Sequence, residues 1–311
     1  MGARQEERMA RALVSLEGLS VGDGFGERFF VHPDIARMLI DERALPGSPW
    51  RFTDDTQMTL SIVQVLNGLG VIDQAQLARS FARHYDGSRG YGPAMHQLLR
   101  HNRCGGDWAE AAGSLFAGQG SYGNGAAMRV APLGAYFADD LDVAVTEARK
   151  SASVTHTHAE AVAGAIAVAV AAAYACRLRE SGTHSEVARF LDFVLPHVPE
   201  SQVRSRIIRA RELRDEIAVE HAAATLGNGE QISAQDTVPF TLWCAAHYLE
   251  NFEEALWATV RGLGDRDTTC AIVGGIVACY TGIEGIPREW IAAREPLPEW
   301  HLLPEGVDVG I

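Results

Sequence analysis

Apolar positions recur at helical spacing along nearly the whole of this chain. A run without charge, Cys270-Ala271-Ile272-Val273-Gly274-Gly275-Ile276-Val277-Ala278-Cys279, carries small residues at 271, 275 and 279 and again at 270, 274 and 278. That spacing lets neighbouring helices approach closely and predicts a buried helix. Residues 161–176, mostly Ala and Val, predict a central buried helix; sixteen residues fall short of the roughly 20 that span a bilayer. Met58, Ile62, Val63, Val65, Leu66 and Leu69 mark a helix beginning near Asp55. Residues 9–19, 73–85, 94–100, 240–248 and 252–263 mark others, with Pro239 opening the one at 240 and charge-rich peripheral helices at 177–225. Residues 18–26 predict a glycine-rich turn where backbone can come near a ligand. Residues 27–51, with Pro33, Pro46 and Pro49, predict a long irregular lid that carries Glu27, Asp34, Asp41 and Glu42. The tail from Gly282, holding Pro287, Pro296, Pro298 and Pro304, is expected to wrap the surface. With no repeat, no low-complexity linker and no βαβ alternation, the simplest account is one all-α domain over residues 1–311.

The chemistry concentrates where polar residues open apolar helices. Gly264-Asp265-Arg266-Asp267-Thr268-Thr269 precedes the run at 270, and Phe52-Thr53-Asp54-Asp55-Thr56-Gln57 precedes the run at 58. Either cluster alone is explained by capping, since Asp and Thr are favoured at helix N-termini and Asp54 with Gln57 has capping-box spacing. A cap needs one carboxylate, however, and each cluster has two. Brought together, they offer four carboxylates plus hydroxyls, a donor set for hard cations and for two ions about 3.5–4 Å apart. Gly118-Gln119-Gly120-Ser121-Tyr122-Gly123-Asn124-Gly125 is a loop whose N–H groups could converge on a diphosphate. Glycine-rich loops are also common as plain turns. Thr157 with Glu160 reads as a capping box for the alanine helix, and His156 as a substrate contact.

A formal charge of −13, from 40 acidic and 27 basic residues, argues against a nucleic-acid surface. Five scattered cysteines without a C-x-x-C pair read as reduced thiols, three of them core residues. The N-terminus is charged and amphipathic and has no signal-peptide core. A cytoplasmic monomer free of membranes is expected.

Taken together, Thr53-Asp54-Asp55-Thr56, Arg89-Gly90-Tyr91-Gly92, Gly120-Ser121-Tyr122-Gly123-Asn124-Gly125 with Ala127-Met128-Arg129, Thr155-His156, Leu226-Gly227-Asn228-Gly229 and Asp265-Arg266-Asp267-Thr268 resemble the ADP-ribosylglycohydrolase family over nearly the whole chain. The Gly-Ser-Tyr-Gly-Asn-Gly form is most similar to its serine-directed branch. The resemblance implies a compact all-helical bundle with two divalent cations, Mg²⁺ foremost and Mn²⁺ second, in a cleft. It implies Thr53, Asp54, Asp55, Asp265, Asp267 and Thr268 as metal ligands. Ser121, Tyr122, Gly123 and Asn124 would hold the diphosphate and distal ribose, with His156 nearby and Gly120, Gly125 and Met128 completing the site. Phe116 and Tyr122 would stack on adenine. The implied reaction removes ADP-ribose from a protein side chain or small conjugate, with Asp54 or Asp55 as base and Glu27 as acid or gate. Two departures stand out. Arg266 lies between two implied ligands, and simple alignment puts Phe30 where the serine-directed members have their loop glutamate, so Glu27 is the substitute. A binding-only ADP-ribose module and a two-metal phosphoesterase are the alternatives.

Overall fold

The computed structural model of the chain describes residues 2–214 and 216–303. Among these residues sixteen α-helices follow one another: α1 (Ala3–Glu27), α2 (Pro33–Asp41), α3 (Asp54–Leu69), α4 (Gln74–Arg83), α5 (Pro93–Arg103), α6 (Trp108–Gly118), α7 (Ala131–Tyr136), α8 (Leu141–Ser153), α9 (Ala159–Ser181), α10 (Val187–Val194), α11 (Gln202–Glu212), α12 (Val219–Leu226), α13 (Ala234–His247), α14 (Phe252–Arg261), α15 (Arg266–Thr281) and α16 (Arg288–Ala293). Among the described residues no strand forms, and the all-α expectation holds.

The molecule is built on one close helix pair. α1 and α15 run antiparallel, so Gly18, Gly22 and Gly26 of α1 meet Gly274, Cys270 and Arg266 of α15 in turn. A Cβ at Gly22 would stand 2.1 Å from the Cys270 carbonyl oxygen, and one at Gly26 would stand 2.2 Å from that of Arg266. This corrects the predicted turn at 18–26, which is uninterrupted helix. Glycines four apart share a helix face, and here they are needed for backbone contact with a neighbour rather than for a bend. Each interior glycine costs roughly 0.5–1 kcal/mol of helix stability, which the packing of the two backbones offsets.

Other expectations are also revised. The irregular stretch 27–51 contains α2, which His32 caps by accepting from the Asp34 N–H. Pro239 lies inside α13 rather than at its start. The proline has no N–H for the Gln235 carbonyl, and Arg206 Nη1 donates to that oxygen instead at 2.9 Å. The cap of α9 is His158, which accepts from the Glu160 N–H at 3.1 Å; Thr157 and Glu160 form no capping box. The Glu160 carboxylate instead accepts from the N–H groups of Gln202 and Val203 at the start of α11. Helices α6, α7 and α8 carry no strong periodic signal and were not expected.

Buried aromatic residues close one end of the core. Phe25 stacks on Trp290 with ring centroids 4.8 Å apart and meets Trp257 edge-on at 5.0 Å. The tail therefore sends Trp290 into the core as well as wrapping the surface; Pro304 lies outside the described residues. α9 is long and apolar enough to cross a membrane, but 89% of its most apolar window is buried by other helices, the central role expected for it. Cys176, Cys244, Cys270 and Cys279 are buried thiols, one more than expected, and Cys104 is exposed.

Candidate active site

The antiparallel pair sets the C-terminal end of α1 beside the N-terminal end of α15, which puts Asp23 and Glu27 near Asp265 and Asp267. Asp23 is fully buried. Its carboxylate accepts from the Thr53 N–H at 2.9 Å, the Thr53 hydroxyl at 2.9 Å, the Thr56 N–H at 3.1 Å and the Thr56 hydroxyl at 2.5 Å. An acid on α1 thus caps α3 from outside, where unpaired N–H groups need acceptors. Thr53 is the N-cap residue itself and receives the Asp55 N–H. Because capping is done by Asp23 and Thr53, Asp54 and Asp55 are not needed for it, and Gln57 accepts from Tyr91 and Asp86 rather than closing a capping box.

Asp54 and Asp55 face a cleft of about 750 Å³, and Asp265, Asp267 and Thr268 of the α15 end face the same space. Two clusters about two hundred positions apart in sequence therefore meet in one cavity. Asp55 Oδ1 is buried without a hydrogen-bond partner among the described residues, a costly state for a carboxylate oxygen. Burial raises the Asp55 and Asp267 carboxyls well above the usual range, and neighbouring acids raise them further, Asp23, Asp54 and Asp265 acting on Asp55, and Asp265 and Asp55 on Asp267. Burial and Asp23 push Asp54 up to about 8. Asp265 is also raised, by burial first, while a 2.7 Å hydrogen bond from Asn124 Nδ2 works the other way. No three His, Cys, Asp or Glu side chains among the described residues form a ready-made metal cage. The donor set is nonetheless what a hard cation takes: several oxygens, no soft ligand, excess negative charge and one oxygen without a partner.

The α15 end is held by the turn at 226–229. The Asp265 N–H donates to the Asn228 carbonyl at 3.1 Å, and Asn228 Nδ2 donates to the Gly262 carbonyl at 2.9 Å. Arg266 points the other way. Its Nη1 donates to the Phe29 carbonyl at 3.0 Å, and its guanidinium lies 5.1 Å from the Phe30 ring centre, on the face of α15 turned to α1. Adjacent helix residues point about 100° apart, so an arginine between two acids need not share their cavity.

The glycine loop forms another part of the wall, joined to the acids through Asn124. Ser121, Tyr122, Gly123, Asn124, Gly125, Met128 and His156 line the cleft with Phe116, whereas Gly120 and Thr53 sit behind the surface. The loop's glycines are explained by His156: a Cβ at Gly125 would stand 2.8 Å from its ring and one at Gly123 3.2 Å. The Gly123 N–H donates to Ser121 Oγ and the Asn124 N–H to the Ile232 carbonyl, so these two N–H groups serve the loop itself. Phe116 has φ 52°, a left-handed conformation rare outside glycine, and the kink leaves its ring 54% exposed. Its ring centre lies 6.1 Å from that of Tyr122.

Arg129 was part of the loop motif but had no assigned role. It is fully buried; its Nη2 donates to Thr155 Oγ1 at 2.9 Å and to the Ser151 carbonyl at 3.1 Å. Thr155 Oγ1 lies 2.7 Å from His156 Nδ1. Arginine only donates, so the threonine oxygen accepts from it and has its own proton for Nδ1. Burial, with Arg129 adding to it, lowers the His156 pKa to about 3. The neutral ring therefore carries its proton on Nε2, on the side of Gly123 and Gly125. Glu27 is half-buried at the end of α1 and outside the wall of the cleft; burial, then the charge of Asp23, raises its carboxyl. Asp23, a single acid inside a glycine-rich segment, carries no signal in sequence.

Residues 4–306 match the family model described as ADP-ribosylglycohydrolase. The chain is 30% identical to the mouse protein named ADP-ribosylhydrolase ARH3, over 94% of this chain and 89% of that one. It is 29% identical to the bovine protein of the same name, over 98% and 94%. It is 26% identical to ADP-ribosylarginine hydrolase Tri1 of Pseudomonas putida, over 92% and 74%. A solved structure titled ADP-ribosylglycohydrolase-related protein complex superposes with a TM-score of 0.57 at 26% identity, covering 93% of each chain. The chain belongs to the ADP-ribosylglycohydrolase family.

Proposed function

We propose that this chain is a divalent-metal-dependent ADP-ribosyl glycohydrolase that frees ADP-ribose from a protein side chain or small conjugate. The observation that carries the reading is the meeting of Asp54 and Asp55 with Asp265 and Asp267 in one cleft, with Asp55 Oδ1 buried and unpaired. Thr53, Asp54, Asp55, Asp265, Asp267 and Thr268 would hold two ions, Mg²⁺ or Mn²⁺. Bound there, the ions supply charge for the ribose hydroxyls and lower the pKa of water.

The chain's own residues do the rest. Phe116 and Tyr122 present exposed rings for adenine in the wall of the cleft. The Nε2–H of His156 and the hydroxyl of Ser121 are donors for the diphosphate. Binding there orients the ribose, whose oxocarbenium-like transition state the surrounding carboxylates favour. Asp54, at the cleft surface, takes the proton of the attacking water at a carboxylate oxygen. Glu27 assists from the rim by keeping negative charge close, without a place in the wall. The enzyme is proposed to work as a cytoplasmic monomer of one domain.

Product analysis tests this against its rivals. With Mg²⁺ or Mn²⁺, peptides ADP-ribosylated on serine or arginine, or O-acetyl-ADP-ribose, should yield intact ADP-ribose. Release of AMP or phosphate would indicate a phosphoesterase, and tight ADP-ribose binding without turnover a binding module. Arg266, a departure that would favour a binding module if its cation lay among the acids, donates instead to the Phe29 carbonyl.

A further inference from the structure

A second cleft, of about 520 Å³, opens against the first. The two share Asp265 and Ile232 in their walls, so the second cavity adjoins the first beside the acid cluster. The adenine-side rings, Phe116 and Tyr122, line the first cleft alone, whereas Phe30, Arg37 and Leu263 line the second alone of the two. A substrate with its ADP-ribose in the first cleft and its glycosidic carbon at the acids would send the rest of the molecule toward the second.

The walls of the second cleft suit a polypeptide. Phe30 is 48% exposed and Ile232 56%, and Pro33 and Leu263 add apolar surface to the same wall. Arg37 and Arg266 add positive charge, and Glu230 and Asp265 negative charge. Two of its residues hold a backbone conformation that ordinary side chains avoid: Ile232 has φ 52° and Leu263 φ 57°. For a β-branched residue this is a true outlier, and such strain gathers at binding sites, where the surrounding structure must enforce it. Ile232 has a clear enforcement, since its N–H donates to the Gly229 carbonyl and its carbonyl accepts from Asn124. The strain therefore holds an exposed apolar side chain at the junction of the two clefts.

We infer that the second cleft is the acceptor-side subsite, which holds the peptide segment flanking the ADP-ribosylated residue, with an apolar neighbour of that residue between Phe30 and Ile232. The inference rests on the proposed function for the contents of the first cleft. It makes the chain selective for protein-borne ADP-ribose over the same linkage on a single amino acid.

The test compares two substrates in Phe30→Ser and Arg37→Ala variants. One is a ten-residue peptide with one ADP-ribosylated residue and an apolar neighbour; the other is the same linkage on a single blocked amino acid. For the peptide, KM should rise about 5–10-fold in Phe30→Ser and less in Arg37→Ala. For the amino-acid conjugate, both KM and kcat should stay within about twofold, which also shows that the variants fold. Equal losses on both substrates, or no change on either, would overturn the inference. If the unaltered chain hydrolyses neither substrate, the proposed activity fails, and the subsite is then judged by affinity. The peptide conjugate should bind several-fold tighter than free ADP-ribose and lose that advantage in Phe30→Ser; equal affinities reject the subsite.

Discussion

Aspartate is used in two ways within a few ångströms. Asp23 spends its oxygens on four donors of the α3 N-terminus, whereas Asp55 leaves Oδ1 with none. In sequence both are acids near helix ends, and only the identity of their partners separates a cap from a ligand. Asp55→Asn and Asp265→Asn should each lower turnover by at least about 100-fold in a metal-supplemented assay while circular dichroism stays unchanged; near-normal rates in both would remove the mechanism. Asp55→Asn should also stabilise the metal-free chain by about 1–3 kcal/mol, because it removes a buried carboxyl whose ionisation burial and the neighbouring acids oppose, and should abolish the rise in Tm on adding Mg²⁺. The Arg129–Thr155–His156 chain gives a second prediction at this scale. Thr155→Val removes the proton offered to His156 Nδ1, so KM should rise several-fold with a smaller change in kcat, and the ring's tautomer, read by nitrogen NMR, should lose its Nε2–H bias.

At the scale of elements, the site depends on the register of α1 against α15. Gly18, Gly22 and Gly26 set that register because each faces a backbone carbonyl. Gly22→Ala would place its methyl 2.1 Å from the Cys270 oxygen, and the helices would have to part. A loss of about 3 kcal/mol or more in chemical denaturation is expected, along with weakened Mg²⁺ binding, as Asp23 moves with α1 and Asp267 with α15. Gly68 makes a control, because nothing lies within 4 Å of a Cβ there; Gly68→Ala should be neutral or slightly stabilising. The same register explains why the turn predicted at 18–26 is absent. A glycine cluster in sequence marks either a bend or a close approach, and only the facing helix distinguishes them.

Across the whole molecule, two sets of buried groups pull stability in opposite directions with pH. His84, stacked on Trp300 with ring centres 3.5 Å apart, has its pKa lowered by burial, and to a lesser extent by Arg83, to about 4. Above about pH 6.5 the ring is neutral in both states and its stabilisation is complete. Below that, the unfolded chain binds a proton the folded chain refuses, so stability falls until about pH 4. The raised carboxyls act oppositely in the metal-free protein: Asp23, at about 6, and Asp54, at about 8, hold protons that the unfolded chain has lost, so they favour folding as pH falls. Bound cations should remove most of that second effect. With saturating Mg²⁺, stability should therefore decline from pH 6.5 to 4.5, and His84→Gln should flatten the decline by about 1–3 kcal/mol; an unchanged slope in urea titrations would contradict the assignment.

The amino-acid sequence alone determined the helical class, because the period of apolar positions is a local property of the chain, and it determined which residue types stand at each helix mouth. It also contained both acid pairs and the glycine loop as recognisable strings. The tertiary structure decided everything that depends on a partner far along the chain: that Asp23 caps α3, that glycines 18–26 pack a helix instead of bending one, that Arg266 faces Phe29 rather than the cleft, and that His156 is held through Thr155 by Arg129. It also decided where Glu27 stands, outside the cleft wall although close to the acids. Helical periodicity is set by neighbours within a turn or two, whereas a hydrogen-bond partner or a close backbone contact is chosen by the packing of distant helices, for which the linear order of residues carries no direct signal.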